Sequence, residues 1–460
     1  MRSGRITPSE LRARLEAQGF RLRALDGMPD FFQVEEGPRP VSFTLEHWLG
    51  LVYVQQASTG VAAPALGAGR GERVLDLCSA PGGKTTHLAE LMGETGSLVA
   101  SEVNEGRIRG LLGNVYRLGY PNVLVVSGDG RDFPEEASFD RVLVDAPCSG
   151  EGTLRRRGGR PPLQSTSFVR HVTGVQEALL RKAIRLARPG GTVLYVTCTF
   201  SPEENEAVVS RVLADAPVEL EPLEPPVPHA CGLTAFEELR FDPRLEGAAR
   251  IYPHHLDSGG LFLARLRRLD DGTPDRAGGW APVPEVFPDD GMNPEEARRL
   301  VVEGAGPVLE HFGVDPGHLT GTSWMARGGR LWLHGAEAWP VEAWAPGPWR
   351  VVSLGLRALE VDPRGRPRPT NDLLQWLAGA VRASVVDLDD TAVSTLLAGE
   401  PLPWPAELEG LQALRYQGWV IGRGVPTPDG LRSEIPKTRA RDLAAVLAGR
   451  GALTPPPADD

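Results

Sequence analysis

Short β-branched segments alternate with longer segments of helical character between residues 70 and 268, and this alternation constrains the fold more than any other feature of the chain. The predicted strands are Arg73–Leu77, Leu98–Glu102, Val123–Ser127, Arg141–Asp145, Thr192–Thr197 and Gly260–Arg265. The predicted helices between them include Lys84–Met92, Glu105–Leu118 and Val175–Ala187. Strands that alternate with helices indicate an α/β domain with a parallel sheet covered by helices on both faces.

The regions on either side of this α/β pattern have a different character. A Pro/Gly-rich segment ends the pattern, and one predicted helix, Asn293–Phe312, then precedes short strands and turns. A chain of 460 residues fits two or three domains, because one core rarely grows past about 250–300 residues. We predict five segments: an N-terminal extension (1–60), the α/β domain (61–269), a linker (270–285), a small intermediate domain (286–350) and a C-terminal domain (351–460).

The composition is that of an ordinary globular chain, with 24% charged and 41% hydrophobic residues. No run approaches the roughly 18–20 apolar residues that span a bilayer, and polar sequence follows Met1 where a signal peptide would be apolar. The four cysteines form neither a disulfide scaffold nor a CxxC zinc motif. We therefore expect a cytoplasmic protein with no membrane partner and no metal, and take a monomer as the default.

The charge distribution is uneven along the chain. The formal net charge of −11 taken alone argues against a nucleic-acid partner. Residues 152–200, however, carry nine basic side chains and one acid, Glu177. For Arg181, Arg185 and Arg188, a solvated helix face is as good an interpretation as a binding surface.

A glycine-containing loop follows the first predicted strand of the α/β domain and leads into its first predicted helix. It reads Asp76-Leu-Cys-Ser-Ala-Pro-Gly-Gly-Lys-Thr-Thr86. Ligands of open α/β sheets bind at such carboxyl ends of strands, and a helix N-terminus offers free N–H groups to an anion. A phosphate-binding P-loop is excluded because Cys78 stands where that motif needs glycine. The alternatives are a ligand loop of another kind or a tight turn without a ligand.

Acidic residues follow the next two predicted strands. Glu102 ends the second strand, where an acid commonly binds ribose hydroxyls, and Asp129 follows the third, where a nucleoside base would lie. Either acid alone is equally well explained as a strand-end cap. Together with Asp76 and its loop they indicate a nucleoside site without a pyrophosphate cradle, which fits S-adenosylmethionine.

The fourth and fifth predicted strands lead into cysteines. Adjacent strand ends would bring Asp145, Cys148 and Cys198 around one cavity. Ser201-Pro-Glu-Glu204 predicts a helix that starts directly after Cys198, with Ser201 as N-cap, and a helix N-terminus favours the reactive thiolate. A free cysteine is otherwise usually a small buried hydrophobe, the interpretation we favour for Cys231 and, on residue type alone, for Cys78.

Two thiols and a carboxylate beside an S-adenosylmethionine site suit methylation of cytosine at C5. That carbon becomes nucleophilic once a thiolate adds to C6, and a carboxylic acid at N3 stabilises the resulting enamine. A base then removes the C5 proton and the cysteine leaves, which makes this covalent catalysis. Methylation of an exocyclic amine would need no thiol.

These segments resemble the signature motifs of the Sun/Fmu-type RNA (cytosine-5)-methyltransferases. The resemblance is carried by Asp76–Thr86, Asp145–Gly150 and Thr197–Glu206, in order and at plausible spacing. Arg250-Ile-Tyr-Pro-His-His resembles the start of the family's closing motif, and Gln55-Gln-Ala-Ser58 resembles the segment ahead of its catalytic domain. The resemblance covers roughly residues 50–268.

The resemblance implies a Rossmann-like fold and specific roles for the motif residues. Cys198 would be the nucleophile, Cys148 would assist release of the methylated base, and Asp145 and Lys84 would complete the catalytic set. The cofactor would be bound by Cys78, Ser79, Ala80, Pro81, Gly82, Gly83, Lys84, Glu102, Asp129 and Asp145. Phosphate contacts with RNA would come from Arg155, Arg156, Arg157 and Arg160, directly after the Cys148 loop.

The C-terminal third resembles the RsmF branch, which methylates small-subunit ribosomal RNA and carries a PUA-like β-barrel as its terminal domain. The resemblance there is weaker, and the N-terminal extension is shortened to an Arg5-Ile-Thr-Pro8 element. A ribosomal RNA substrate is therefore the expectation. Transfer RNA methylation and a non-catalytic role in RNA binding or ribosome assembly are the alternatives.

Overall fold

The structure is a computed structural model of the 460-residue chain. It describes residues 1–153, 165–287, 293–336, 338–340, 349–362, 366–405 and 410–449.

The described elements alternate between helix and strand through the central part of the chain. The N-terminal elements are α1 (Pro8–Ala17), β1 (Arg21–Leu25), β2 (Met28–Glu36), α2 (Leu45–Trp48) and α3 (Ala62–Leu66). The central elements are β3 (Arg73–Asp76), α4 (Gly83–Leu91), β4 (Ser97–Glu102), α5 (Glu105–Leu118), β5 (Val123–Ser127), β6 (Phe139–Asp145), α6 (Thr166–Leu186), β7 (Ala187–Thr197), α7 (Glu206–Leu213), β8 (Val218–Glu221), β9 (Ala230–Cys231), β10 (Ala235–Phe236), β11 (Leu239–Arg240), β12 (Ala249–Ile251), α8 (Pro253–Leu256) and β13 (Leu261–Arg268). All six predicted strands are confirmed.

The C-terminal elements are shorter and richer in strands. They are β14 (Trp280–Pro282), α9 (Pro294–Leu300), α10 (Gly306–His311), β15 (Ser323–Arg327), β16 (Arg330–His334), β17 (Ala338–Pro340), β18 (Arg350–Leu354), β19 (Leu356–Val361), β20 (Pro367–Pro369), α11 (Asn371–Trp376), β21 (Val385–Leu388), α12 (Asp390–Leu397), β22 (Gln412–Tyr416), β23 (Trp419–Thr427), β24 (Gly430–Ser433) and α13 (Lys437–Leu447). A π-helical turn, Val301–Ala305, joins α9 to α10, so the predicted helix at 293–312 forms with an interruption.

One large sheet organises the centre of the molecule. Its order is β18-β5-β4-β3-β6-β7-β13-β12-β9, and β8 pairs with β13. Five neighbouring strands, in the spatial order β5, β4, β3, β6 and β7, are parallel. Strand β13 lies antiparallel beside β7. The carboxyl ends of the parallel strands therefore meet at one edge, where the motif residues lie. This confirms the predicted α/β, Rossmann-like sheet.

Both faces of this sheet are buried, which explains the continuous apolar character of its strands. Successive side chains of a strand point to opposite faces. Leu75 and Val142 thus pack into the core beneath α6, while Val74 and Leu98 pack into the core beneath α4 and α5.

Strand β18 extends the sheet from far along the chain. It pairs antiparallel with β5, placing Arg350 opposite Ser127 and Leu354 opposite Leu124. The boundary predicted between residues 350 and 351 falls inside this strand. Part of the C-terminal region is therefore built into the edge of the central sheet.

The two ends of the chain share one hydrophobic core. Leu11 and Trp48 from the N-terminal region cluster with Tyr416 and Leu443 from the C-terminal region. The Trp48 indole donates to the carbonyl of Arg439 at 3.1 Å, and the Arg439 guanidinium lies over the indole ring at 4.4 Å. The first 60 residues are thus held by residues of the described segment 410–449 as well as by the α/β core.

Four tryptophans that follow the α/β domain are buried and serve packing. Trp280, Trp332, Trp339 and Trp349 are each at most 8% exposed. A four-stranded sheet of β21, β22, β23 and β24 lies near the end of the chain, with β21 parallel to β22. None of the described helices combines the length and the apolar character that a membrane crossing requires.

Candidate functional site

The loop after β3 has the geometry of a ligand cradle. Ser79 is fixed to the neighbouring strand, since its N–H and its hydroxyl both donate to the carbonyl of Ser101 at 2.9 Å. Gly82 then adopts a φ of +102°, which glycine tolerates at no steric cost. It stands at the N-cap of α4 with no side-chain cap, so the first-turn N–H groups of this helix remain for an anionic ligand.

Asp76 supports this loop from below. Its carboxylate is fully buried and accepts a hydrogen bond from the Thr85 hydroxyl at 2.7 Å. Burial raises the pKa of Asp76 to about 7. Its second oxygen, Oδ1, is buried with no hydrogen-bond partner among the described residues, and such an atom favours a ligand or water nearby.

Glu102 and Asp129 lie at adjacent strand ends, as predicted. Glu102 is buried and accepts from the backbone N–H groups of Asn104 at 2.9 Å and Ala80 at 3.3 Å. Asp129 caps a short turn by accepting from the N–H of Arg131, and it also pairs with the Arg131 guanidinium. That hydrogen-bonded pair lowers the pKa of Asp129. Both carboxylates are held at the edge of the sheet where the parallel strands end.

Lys84 and Asp145 form an ion pair in the middle of the site. Lys84 Nζ lies 2.6 Å from Asp145 Oδ2. Burial lowers the pKa of Lys84, but the carboxylate of Asp145 outweighs that effect and the net shift is upward. Tyr53, which sequence reasoning missed, packs its ring against Gly83, where a Cβ would lie 3.1 Å from a ring carbon.

Cys148 and Cys198 are in direct contact, with the two Sγ atoms 3.3 Å apart. This hydrogen bond, with Cys148 as donor, lowers the pKa of Cys198, and Lys84 adds to the effect. The same interaction and burial raise the pKa of Cys148 well above its usual range. The contact therefore favours the thiolate on Cys198 over the thiolate on Cys148.

A buried carboxylate, Glu204, and a partly buried one, Glu151, fix the loops that carry these thiols. Glu204 accepts from the N–H of Ser149 at 3.0 Å and from the side-chain amide of Gln176 at 2.9 Å. Glu151 accepts from the hydroxyl of Thr199 at 3.1 Å and from the N–H of Phe200 at 3.2 Å. Each loop thus supplies a carboxylate to the other. No spacing rule predicts this network, because its partners come from separate parts of the chain.

The helix predicted to start at Ser201 does not start there, and this part of the prediction is wrong. Residues 202–205 form turns, and α7 begins at Glu206. The reason is tertiary, since Glu204 bonds to the Cys148 loop and the Asn205 amide donates to the carbonyl of Thr199 at 3.0 Å. The low pKa of Cys198 therefore comes from Cys148 and Lys84, and not from a helix N-terminus.

The two outer motifs meet beside the site. The N–H of Ser58, in the Gln55–Ser58 segment, donates to the hydroxyl of Ser258 at 3.3 Å. Arg250 from the closing motif is buried against Glu206, and it donates to the carbonyl of Phe200 at 3.0 Å. The closing motif thus braces the Cys198 loop.

The basic side chains of α6 are largely neutralised within the chain. Arg181 pairs with Glu177 and Asp215, and both Lys182 and Arg185 pair with Glu135. For this helix the solvated or paired face is the better interpretation. The predicted RNA contacts Arg155, Arg156, Arg157 and Arg160 lie outside the described residues.

The other two cysteines lie away from the contact between Cys148 and Cys198. Cys78 is partly buried in the loop after β3, and burial raises the pKa of its thiol well above the usual range. Cys231 is exposed, so the prediction of a buried hydrophobe is wrong there, because β9 lies at the sheet edge. Across the described part of the chain, no group of three or more His, Cys, Asp or Glu residues could hold a metal ion.

The comparisons with known proteins agree with this geometry. Residues 63–267 match the model of the 16S rRNA methyltransferase RsmB/F family. Ribosomal RNA small subunit methyltransferase F of Vibrio atlanticus (strain LGP32) is 30% identical over 455 residues, covering 95% of this chain and 90% of that protein. The chain belongs to the RsmB/F family. As a member, it is an S-adenosylmethionine-dependent RNA cytosine-C5 methyltransferase.

The chain is also similar to proteins from Mus musculus and Pyrococcus horikoshii. The 28S rRNA (cytosine-C(5))-methyltransferase of Mus musculus is 36% identical over 256 residues, covering 54% of this chain and 32% of that protein. A methyltransferase homolog from Pyrococcus horikoshii superposes with a TM-score of 0.53 at 33% identity, covering 58% of this chain and 84% of that one.

Proposed function

We propose that this enzyme methylates C5 of cytosine in small-subunit ribosomal RNA, with Cys198 as the nucleophile. The substrate class rests on relatives named for the small ribosomal subunit, which this chain matches over nearly its whole length. The assignment of Cys198 rests on the contact between the two Sγ atoms beside the Lys84–Asp145 ion pair.

The residues of the site suit the cofactor. The uncapped N-terminus of α4 and the buried Glu102 offer hydrogen-bond partners of the kinds that S-adenosylmethionine needs, namely donors for its carboxylate and an acceptor for ribose hydroxyls. We assign cofactor binding to Cys78–Lys84, Glu102, Asp129 and Asp145. The bound cofactor supplies the activated methyl group.

The first step of the proposed mechanism uses the charge on Cys198. Its thiolate gives an electron pair to C6 of the cytosine, forming the C6–S bond and moving electron density to C5 and N3. Lys84 Nζ donates a hydrogen bond to Asp145 Oδ2. A proton passes from Lys84 through the Asp145 carboxyl to N3, where it stabilises the added electron density. C5 is then nucleophilic towards the methyl group.

The second step uses the thiol of Cys148. Its pKa is raised by the hydrogen bond and the negative charge of its neighbour. Once Cys198 Sγ is bonded to carbon, that charge is gone, and the Cys148 thiol can lose its proton to solvent. The Cys148 thiolate then takes the C5 proton, the C5–H electron pair forms the C5–C6 double bond, and the C6–S pair leaves with Cys198 as a thiolate. The proton at N3 returns to the Lys84–Asp145 pair.

The regions outside the catalytic centre serve RNA binding in this proposal. We assign that role to Arg155–Arg157, Arg160, the N-terminal extension (1–60) and the PUA-like C-terminal region that follows β18, with residues 270–285 as linker. The intermediate domain begins at residue 286 and ends before β18, because β18 belongs to the central sheet. The enzyme acts as a monomer in the cytoplasm, where small ribosomal subunits are made.

The deciding experiment is methyl transfer from labelled S-adenosylmethionine to unmodified small ribosomal subunits, free small-subunit RNA and bulk transfer RNA in parallel. The expected result is label in the subunit or its RNA, recovered as 5-methylcytosine. Label in transfer RNA alone would replace the substrate and keep the chemistry. No label with the cofactor still bound would favour a non-catalytic role.

Two cysteine variants test the mechanism. Cys198→Ser should abolish methyl transfer, because a serine hydroxyl is not ionised at neutral pH, and full activity would refute the nucleophile. Cys148→Ala should accumulate a covalent protein–RNA adduct that survives denaturing electrophoresis, because release fails after methylation. The double variant should form no adduct. Absence of adduct in the single variant would leave Cys148 a structural thiol.

A further inference from the structure

The turn after β5 is packed from two sides. On its inner side, a Cβ at Gly130 would lie 2.9 Å from Leu77 and 3.0 Å from Leu179, so the backbone already touches the core. On its outer side, a Cβ at Gly128 would lie 2.7 Å from the ring of Trp349. Asp129 lies between these two glycines.

Trp349 makes further contacts with the same turn. Its indole N–H donates to the carbonyl of Asp132 at 3.4 Å, across 217 residues of sequence. Its ring meets that of Phe133 edge-on, with centroids 4.7 Å apart. Trp349 thus contacts residues on both sides of Asp129 while remaining only 8% exposed.

The strand that follows Trp349 is anchored to the same edge of the sheet. Arg350 pairs with Ser127, the last residue of β5, and its guanidinium lies 2.9 Å from the carboxylate of Glu105. Glu105 begins α5, three residues after Glu102. β18 therefore contacts the elements that present both acids of the nucleoside site.

We propose that Trp349 and β18 form the outer wall of the cofactor's nucleoside site, with Trp349 as a positioning residue that acts through Asp129. This rests on the proposed roles of Glu102 and Asp129. The wall lies outside residues 63–267, the part that matches the family model. The C-terminal region therefore completes the cofactor site in addition to any contact with RNA.

Trp280 provides a matched control. It is also 8% exposed, donates its indole N–H to a backbone carbonyl, that of Ser138, at 2.8 Å, and meets Phe139 edge-on at 5.3 Å. Phe139, however, begins β6, so this contact lies at the opposite edge of the sheet. Trp349→Ala and Trp280→Ala should thus lose similar packing, and only the first should disturb the cofactor edge.

The test is calorimetric binding of S-adenosylmethionine, and of adenosine alone, to the full chain without RNA. Trp349→Ala should weaken both ligands by about tenfold, Trp349→Phe should recover most of the affinity, and Trp280→Ala should bind as wild type. In turnover, Trp349→Ala should raise KM for the cofactor and leave kcat and KM for RNA unchanged. Because binding is measured without RNA, the result does not depend on which RNA is the substrate.

Gly128→Ala gives a second measurement should Trp349→Ala fold poorly. Its methyl group would push against the indole ring, so it should weaken cofactor binding in the wild type and have less effect in Trp349→Phe, where the ring is smaller. Wild-type affinity in both Trp349→Ala and Gly128→Ala would overturn the proposal. Equal loss in Trp349→Ala and Trp280→Ala would also overturn it, because the effect would then be general destabilisation.

Discussion

Replacing Cys148 by alanine should make Cys198 a weaker acid. In the wild type the Cys148 thiol donates a hydrogen bond to Cys198 across 3.3 Å, and this contact is the largest cause of the lowered pKa of Cys198. Alanine removes the donor and leaves burial, which opposes ionisation. Cys198 should then ionise to its thiolate only at a higher pH.

The size of the effect follows from the hydrogen bond. A hydrogen bond to a charged group contributes about 1.5–3 kcal/mol, and one pH unit corresponds to about 1.4 kcal/mol, so the midpoint should rise by about one to two pH units. Lys84 favours the thiolate in both wild type and variant, so it does not contribute to this difference. Cys148→Ser keeps a hydroxyl donor and should show a smaller rise.

The assay is the rate of alkylation of Cys198 by iodoacetamide as a function of pH, read from the peptide that contains Cys198 by mass spectrometry. Only the thiolate reacts, so the midpoint of the rate profile reports the pKa of Cys198. Alkylation of the exposed Cys231 in the same samples controls for the reagent. An identical midpoint in wild type and Cys148→Ala would refute the assignment of Cys148 as the group that sets the ionisation of Cys198.

Three further predictions concern stability and RNA. Glu206→Gln leaves the buried Arg250 without its counter-charge and should lower the free energy of unfolding by about 3–5 kcal/mol in urea titrations; a loss below about 1 kcal/mol would contradict this. Trp48→Ala should lower the free energy of unfolding by about 3–5 kcal/mol and speed amide hydrogen exchange in α13 as well as in α2. Faster exchange in α2 alone would contradict a shared core. Replacing Arg155–Arg157 by alanine should weaken RNA binding and flatten its salt dependence by about 0.7 per lost phosphate contact, with cofactor affinity retained; an unchanged slope would discard those contacts.

The sequence predicted the sheet and the positions of the motif residues at its strand ends well, because both depend on local pattern. Each predicted strand between residues 73 and 265 forms, since β-branched segments buried on both faces have few alternative structures. The motif residues follow those strands directly. Parallel strands then bring Asp76, Glu102 and Asp145 to one edge without further information.

The failures arise where distant groups compete with local preference. Ser201-Pro202 has the pattern of a helix start, but Glu204 and Asn205 bond to the cysteine loops and delay α7 to Glu206. Cys231 was predicted to be buried, and its position on an edge strand leaves it exposed. Neither the start of α7 nor the exposure of Cys231 can be predicted from the neighbouring residues in the sequence.

The sequence by itself determined the fold class and placed the motif residues after their strands. Only the tertiary structure decided that the two thiols touch, that Glu204 and Glu151 fix their loops, that Trp349 packs against the turn after β5, and that Leu11 and Trp48 share a core with Tyr416 and Leu443. Hydrogen bonds between the N-terminal and C-terminal regions join residues up to 407 positions apart. Periodicity and motif spacing describe neighbours along the chain, whereas the choice among many apolar partners is made by packing.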